Sequence, residues 1–271
     1  MRPVHSRRLL GSLVAAVAVI VAVVAPAAHG ATPAPGFERF AGCPSPAENP
    51  KVVACVTSTI TGGNFKMGTK NVPISKPMTL SGGVEANGNV SANAKGGLTP
   101  VQQQVPGGVI GITGLDWLVN FLDIDSLQLF AQTEIAGVPN IGEAAITLPI
   151  RVKLINPVLG NNCYVGSFTN PIVLKLITAT TNPPPPNKPI TGKPFEFSFK
   201  EEVVIGKNGE LVDNSFAAPG ATGCQLTLFG FIPISINGLV NSQSGLPSPA
   251  GNNETRQLAD QELAPLHKVY P

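Results

Sequence analysis

The chain has 271 residues, 43% hydrophobic but only 13% charged and 6% aromatic, with 29 Gly and 27 Pro. Globular chains are about a quarter charged and about 5% Pro, so this composition excludes a helical bundle or coiled coil and favours short strands joined by many turns. The formal charge is +2, but three arginines lie in residues 1–30, and beyond them 15 Lys and Arg face 16 Asp and Glu. A chain this close to neutral carries no basic surface for nucleic acid or anionic membranes, so no nucleic-acid partner is expected.

Arg2, Arg7 and Arg8 precede an uncharged run from Leu9 to Ala25, followed by Pro26-Ala27-Ala28-His29-Gly30-Ala31. A charged start, an apolar middle and small residues at a peptidase spacing predict a secretory signal over 1–30, cut after Ala27 or Gly30. Gly11 interrupts the hydrophobic position that a twin-arginine signal would need after Arg7-Arg8. Nothing later in the sequence is long and apolar enough to span a bilayer, so no stable transmembrane insertion is expected once the leader is removed. The expected location is extracellular or in the cell envelope.

Export makes disulfides the default for Cys43, Cys55, Cys163 and Cys224. Three pairings are open. Cys43–Cys55 with Cys163–Cys224 is favoured, because the first closes a Pro-rich loop and the second ties distant strands. There is no CxxC, and His267 is the one histidine clearly beyond the leader. Neither a metal site nor a cofactor is expected.

In chain order, residues 31–51 read as an extended lead-in containing the first disulfide loop, and 52–240 as a single β-rich domain. Val52 to Ile60 is the first clear strand, and Lys70–Ile74 and Met78–Leu80 continue the style. The Gly- and Asn-rich stretch 82–108 reads as a long surface excursion with a weak strand near Val84 to Val90. Thr113 to Leu122 is the best helix: Leu115, Leu118, Val119 and Leu122 share a face, and Thr113 with Asp116 forms a capping pair. Trp117 and Phe121 lie on its second face, as core residues or as an apolar surface for a ligand. Residues 127–134 alternate, and so do Ile146, Leu148, Ile150, Val152 and Leu154, with one buried and one solvated side. Pro183–Pro186 is an extended connector.

Ile172–Thr180, Phe195–Ile205 and Gly223–Ile236 are further strands, and Phe195, Phe197 and Phe199 oppose Glu196, Ser198 and Lys200. Asn208-Gly209 predicts a hairpin pairing 200–205 with 211–216. Residues 241–271 read as a loop and tail, with a short helix from Glu254 to Leu263. The expected fold is mainly β: an antiparallel β-sandwich or partly closed barrel with one or two short helices, stapled by two disulfides.

Cys43-Pro44, Cys55-Val-Thr-Ser-Thr-Ile-Thr-Gly-Gly-Asn-Phe-Lys-Met-Gly68, Gly160-Asn-Asn-Cys-Tyr-Val-Gly-Ser167 and Val240-Asn-Ser-Gln-Ser-Gly-Leu-Pro-Ser-Pro-Ala-Gly-Asn-Asn253, with Cys224, form a set of turn and cysteine motifs. On these the chain resembles the secreted proteins of unknown function of actinobacteria. The resemblance implies an exported envelope or extracellular protein and carries no functional residues with it.

Serine or cysteine hydrolase chemistry lacks a placed histidine and a Gly-x-Ser-x-Gly elbow. Carboxylates that could serve a glycosidase exist at Asp116, Asp123, Asp125, Glu134, Glu143, Glu196, Glu201 and Glu202, but aromatic platforms are scarce. Asp123 and Asp125 lack the remainder of a calcium loop. The expectation is therefore a non-enzymatic protein binding an apolar small molecule or lipid between its sheets, with Trp117 and Phe121 as candidate contacts. The alternative is a structural or adhesive surface protein with a cell-surface partner, and a carboxylate hydrolase ranks below both. An apolar cavity of several hundred Å3, set against a filled core, would separate the first two.

Overall fold

Alternating side chains and abundant turn residues produce a mainly β structure. The computed structural model describes residues 31–120, 123–228 and 232–271. The predicted leader, Phe121 and Leu122 lie outside the described residues. Residues Ala31–Pro271 form one compact unit. The strands in chain order are β1 (Val52–Met67), β2 (Lys70–Pro73), β3 (Met78–Glu85), β4 (Val90–Ser91), β5 (Gly97–Leu98), β6 (Gln102–Gln104), β7 (Phe130–Ile135), β8 (Asn140–Ile141), β9 (Ile146–Ile155), β10 (Tyr164–Val165), β11 (Ile172–Leu176), β12 (Glu196–Lys200), β13 (Val203–Asp213), β14 (Ala221–Thr222), β15 (Gln225–Leu228), β16 (Ile232–Ser235) and β17 (Glu254–Pro265). The helices are α1 (Gly108–Thr113), α2 (Ile124–Leu127), α3 (Asn237–Ser244) and α4 (Leu266–Val269).

Two antiparallel sheets stack as a sandwich. The larger runs β12-β13-β17-β1-β3-β4, with β2 on β1 and β5 on β3. The smaller runs β14-β10-β9-β7-β6, with β8 and β11 also on β9. Strands β15 and β16 pair as a separate hairpin. In β9 the expected alternation is realised: Leu148, Ile150, Val152 and Leu154 are buried between the sheets. Facing them are Phe65, Met67, Leu211 and Ala259 of the larger sheet, and Cys163–Cys224 lies in this same core. The sheets are tied at two places, where the Val90 N–H donates to the Pro139 carbonyl and where Ile177 and Val212 exchange hydrogen bonds.

The outer face of the larger sheet carries a second, smaller core. Phe40, the Cys43–Cys55 bridge, Val203, Ala264, Val269 and Tyr270 pack there, so both chain ends of the unit close over the sheet. The Tyr270 hydroxyl donates to the Cys43 carbonyl at 2.8 Å. Arg39 covers the cluster with its guanidinium 4.8 Å from the Phe40 ring centroid and pairs with Glu262. Both disulfides are the favoured ones.

Four expectations are corrected. The helix read at 113–122 instead runs from Gly108 to Thr113, and a 3-10 turn follows at Asp116–Asn120. Gly114, at φ +68°, caps the helix, its N–H donating to the Ile110 carbonyl; the Thr113 hydroxyl, at the end of α1, donates to the Val109 carbonyl and accepts the Leu115 N–H at 3.3 Å. The hairpin turn is at Glu201-Glu202, φ +54° and +66°, while Asn208, at φ +56°, forms a bulge inside β13. Asn-Gly supplies left-handed backbone in either setting, and here the Asn208 N–H is held by Asp260 at 3.0 Å.

The short helix expected from Glu254 to Leu263 is instead part of strand β17, paired with β1 on one side and β13 on the other. The supposed surface excursion at 82–108 includes the end of β3 and the whole of β4, β5 and β6.

Candidate ligand-binding site

A groove of about 540 Å3 opens at one rim of the sandwich. Pro73 and Ser75 form one wall, Gln104, Val105 and Ile110 another, and Leu127 and Gln128 the end. The wall after β6 is fixed by Gln103, whose side chain is buried in the sequence run Gln102-Gln103-Gln104. Its Oε1 accepts from the Ser75 and Lys76 N–H groups at 2.9 and 3.0 Å, and its Nε2 donates to the Lys76 carbonyl at 2.7 Å. Every polar atom of that amide is engaged, so it acts as a rivet between the rim loops.

Val105 separates this groove from the space between the sheets. It also lines a void of about 40 Å3 bounded by Met67, Ile112, Ala131, Val152 and Leu246. Met67, Val72, Ala131 and Val152 are shared with a second void of about 50 Å3, and Ile60, Leu98, Leu148 and Gln257 pass from that one to a third of about 40 Å3. The result is a seam of small, mostly apolar spaces along the sandwich midplane. Gln261 also lines the third void. A filled interior has few voids larger than a water, so three adjoining ones mark a line of incomplete packing.

One polar atom along this seam is unsatisfied. Gln257 is 4% exposed, its Nε2 donates to Thr255 Oγ1 at 3.3 Å, and its Oε1 has no hydrogen-bond partner among the described residues. Leaving a buried amide oxygen unpaired costs about 1–3 kcal/mol. Lys70 lines the first void, and its ammonium donates to the Gly111 carbonyl at the end of α1 at 2.7 Å.

Of the candidates read from sequence, Phe121 lies outside the described residues, and the others fall elsewhere. Trp117 sits in the 3-10 turn, 47% exposed, and lines neither groove nor seam. None of the eight carboxylates named as hydrolase candidates borders the groove or the three voids. Asp123 caps α2 by accepting the Ser126 N–H at 2.7 Å, and its hydrogen bonds with Ser126 hold its carboxyl below the ordinary range. Among the described residues no cluster of three metal-ligating side chains occurs, and no helix is long and apolar enough to cross a membrane.

Sequence reasoning missed Gln103, Val105 and Gln257. A Gln within a polar run and a Gln in an apparent tail give no signal of burial. Comparison with protein families, with curated proteins and with solved structures found no match.

Proposed function

We propose that this is an exported, non-catalytic protein of the actinobacterial secreted type that carries a slender amphipathic ligand in the cell envelope or outside the cell. The observation that carries this reading is the adjacency of the rim groove to the apolar seam, with Val105 lining both and standing between them. The groove has the volume of a small-molecule site. The voids of the seam are far smaller, so an acyl-like chain must part the sheets at Val105 to enter, while its head stays in the groove among Ser75, Gln104 and Gln128. Gln257 Oε1 offers an acceptor to a hydroxyl or amide N–H of the ligand, or to a water carried in with it. Two disulfides fit an oxidising location.

The test is mass spectrometry of the exported protein, native and then denaturing, repeated for Val105→Trp. Added mass that denaturation releases, and that the Trp variant lacks while keeping its thermal transition, is the expected result. No added mass, together with no uptake of long-chain alcohols or acids offered in solution, would overturn the proposal.

A further inference from the structure

The larger sheet ends at β12, whose outer edge has no strand partner among the described residues. All five of its residues are exposed. Edge strands normally blunt this hazard with charge, proline or brevity, because their unpaired N–H and C=O groups invite another strand. Here the charges and the proline sit at the ends of a short edge, and its middle carries two phenylalanines, with Phe197 57% and Phe199 78% exposed. Register places them on the face that continues the interior: Phe199 pairs with Val204, which pairs with Leu263, which pairs with buried Val56. Leu263 is itself 36% exposed. The larger sheet therefore overhangs the smaller one and leaves an apolar strip beside an open ladder.

The sequence of β12, Glu196-Phe197-Ser198-Phe199-Lys200, is complementary to itself when reversed. We propose that the partner of this edge is a second copy of the same chain, paired antiparallel about Ser198. In that register Glu196 lies opposite Lys200 of the second copy, Phe197 opposite Phe199, and each cross-strand pair occurs twice. Opposite charges and aromatic pairs directly across a ladder are both stabilising. Such a contact is isologous and closes on itself, so it yields a dimer rather than a fibre. Pro194 bounds the usable edge on one side and the Glu201-Glu202 turn on the other, which keeps the ladder short. A different strand would need only hydrogen bonds and two apolar pockets, whereas this charge order is the one a copy requires.

Sedimentation equilibrium of the wild type, of Glu196→Lys, of Lys200→Glu and of an equimolar mixture of the two variants tests the register. The wild type should dimerise. Each single reversal sets like charges opposite one another twice and should weaken association about tenfold. The mixture, in which the two lysines of one variant's strand meet the two glutamates of the other's, should recover it. In an independent readout, Ser198→Cys should form an intermolecular disulfide on mild oxidation, since that residue faces itself across the two-fold axis. A wild type that stays monomeric to its solubility limit, reversals without effect, or a mixture no tighter than its components would each overturn the proposal.

Discussion

The two faces of the larger sheet are packed in opposite ways. On the outer face, Phe40, Cys43–Cys55 and Tyr270 fill a small cluster in which the phenol is hydrogen-bonded and Arg39 lies over an aromatic ring. On the inner face, a far larger cluster contains three adjoining voids and an unpaired amide oxygen. The amount of apolar surface does not explain the contrast, since the inner face has more of it. The outer cluster joins the two ends of the compact unit to the sheet and does best when full. The inner seam is left with room, which is what the proposed ligand site needs.

The largest effects should come from the disulfides, one in each region. Cys43–Cys55 spans 12 residues and Cys163–Cys224 spans 61. By unfolded-chain entropy the first stabilises by about 3 kcal/mol and the second by about 4 kcal/mol. Cys163→Ser and Cys224→Ser should therefore lower stability equally, and somewhat more than Cys43→Ser or Cys55→Ser, in denaturant titration. Unequal losses within a pair would mean that one cysteine contributes packing of its own.

Next in size are two substitutions that should move in opposite directions. Tyr270→Phe removes one of the two donors to the buried Cys43 carbonyl, which keeps the Asn93 Nδ2 at 3.0 Å, and should cost about 0.5–1.5 kcal/mol. Gln257→Leu removes the unpaired oxygen and puts methyl groups into the seam, so it should be neutral or stabilising by up to about 1 kcal/mol while weakening ligand uptake. A destabilising Gln257→Leu would show that the amide is satisfied in solution and would remove the contrast between the faces.

How much of this is legible in the sequence depends on what kind of burial each segment undergoes. β9 announces itself because its buried side chains are all aliphatic and alternate with half-buried Thr147, Pro149, Arg151 and Lys153. Both disulfides follow from cysteine count and separation. β17 is hidden because its inner face is Thr255, Gln257 and Ala259, and its outer face carries Glu254, Arg256, Asp260 and Glu262. That strand is placed by backbone ladders to β1 and β13, and a ladder leaves no hydrophobic period in the sequence. The helix boundary departs from expectation for a local reason: Leu115 and its neighbours keep helical spacing past Gly114, but a left-handed glycine ends the helix first. The site shares the fate of β17, because a buried Gln looks like any surface Gln until its partners are known. Ser75 and Lys76 lie 28 and 27 residues from Gln103.

The smallest effects, and the ones that separate the faces by pH, come from titration. Burial, followed by the charge of Glu48, raises the Tyr270 phenol above its ordinary 10.0. The folded chain therefore holds this proton more tightly than the unfolded chain, and its contribution is complete below pH 10.0 and is lost as pH rises from there through the folded value. At the acid end the sign is reversed. For Asp260, burial pushes the carboxyl up, but the Asn208 N–H and Lys207 outweigh it and leave the group below its ordinary 3.8. Glu202 is held below 4.5, chiefly by its hydrogen bond with Lys268. Their contributions are complete above those ordinary values and fade as pH falls through the folded ones. Thermal melts across pH should thus show an alkaline decline that Tyr270→Phe removes and an acid decline that Glu202→Gln reduces, while Gln257→Leu changes neither limb. If Gln257→Leu altered either limb, the seam would be electrostatically coupled to the outer cluster, and the two faces of the sheet could no longer be treated as independent.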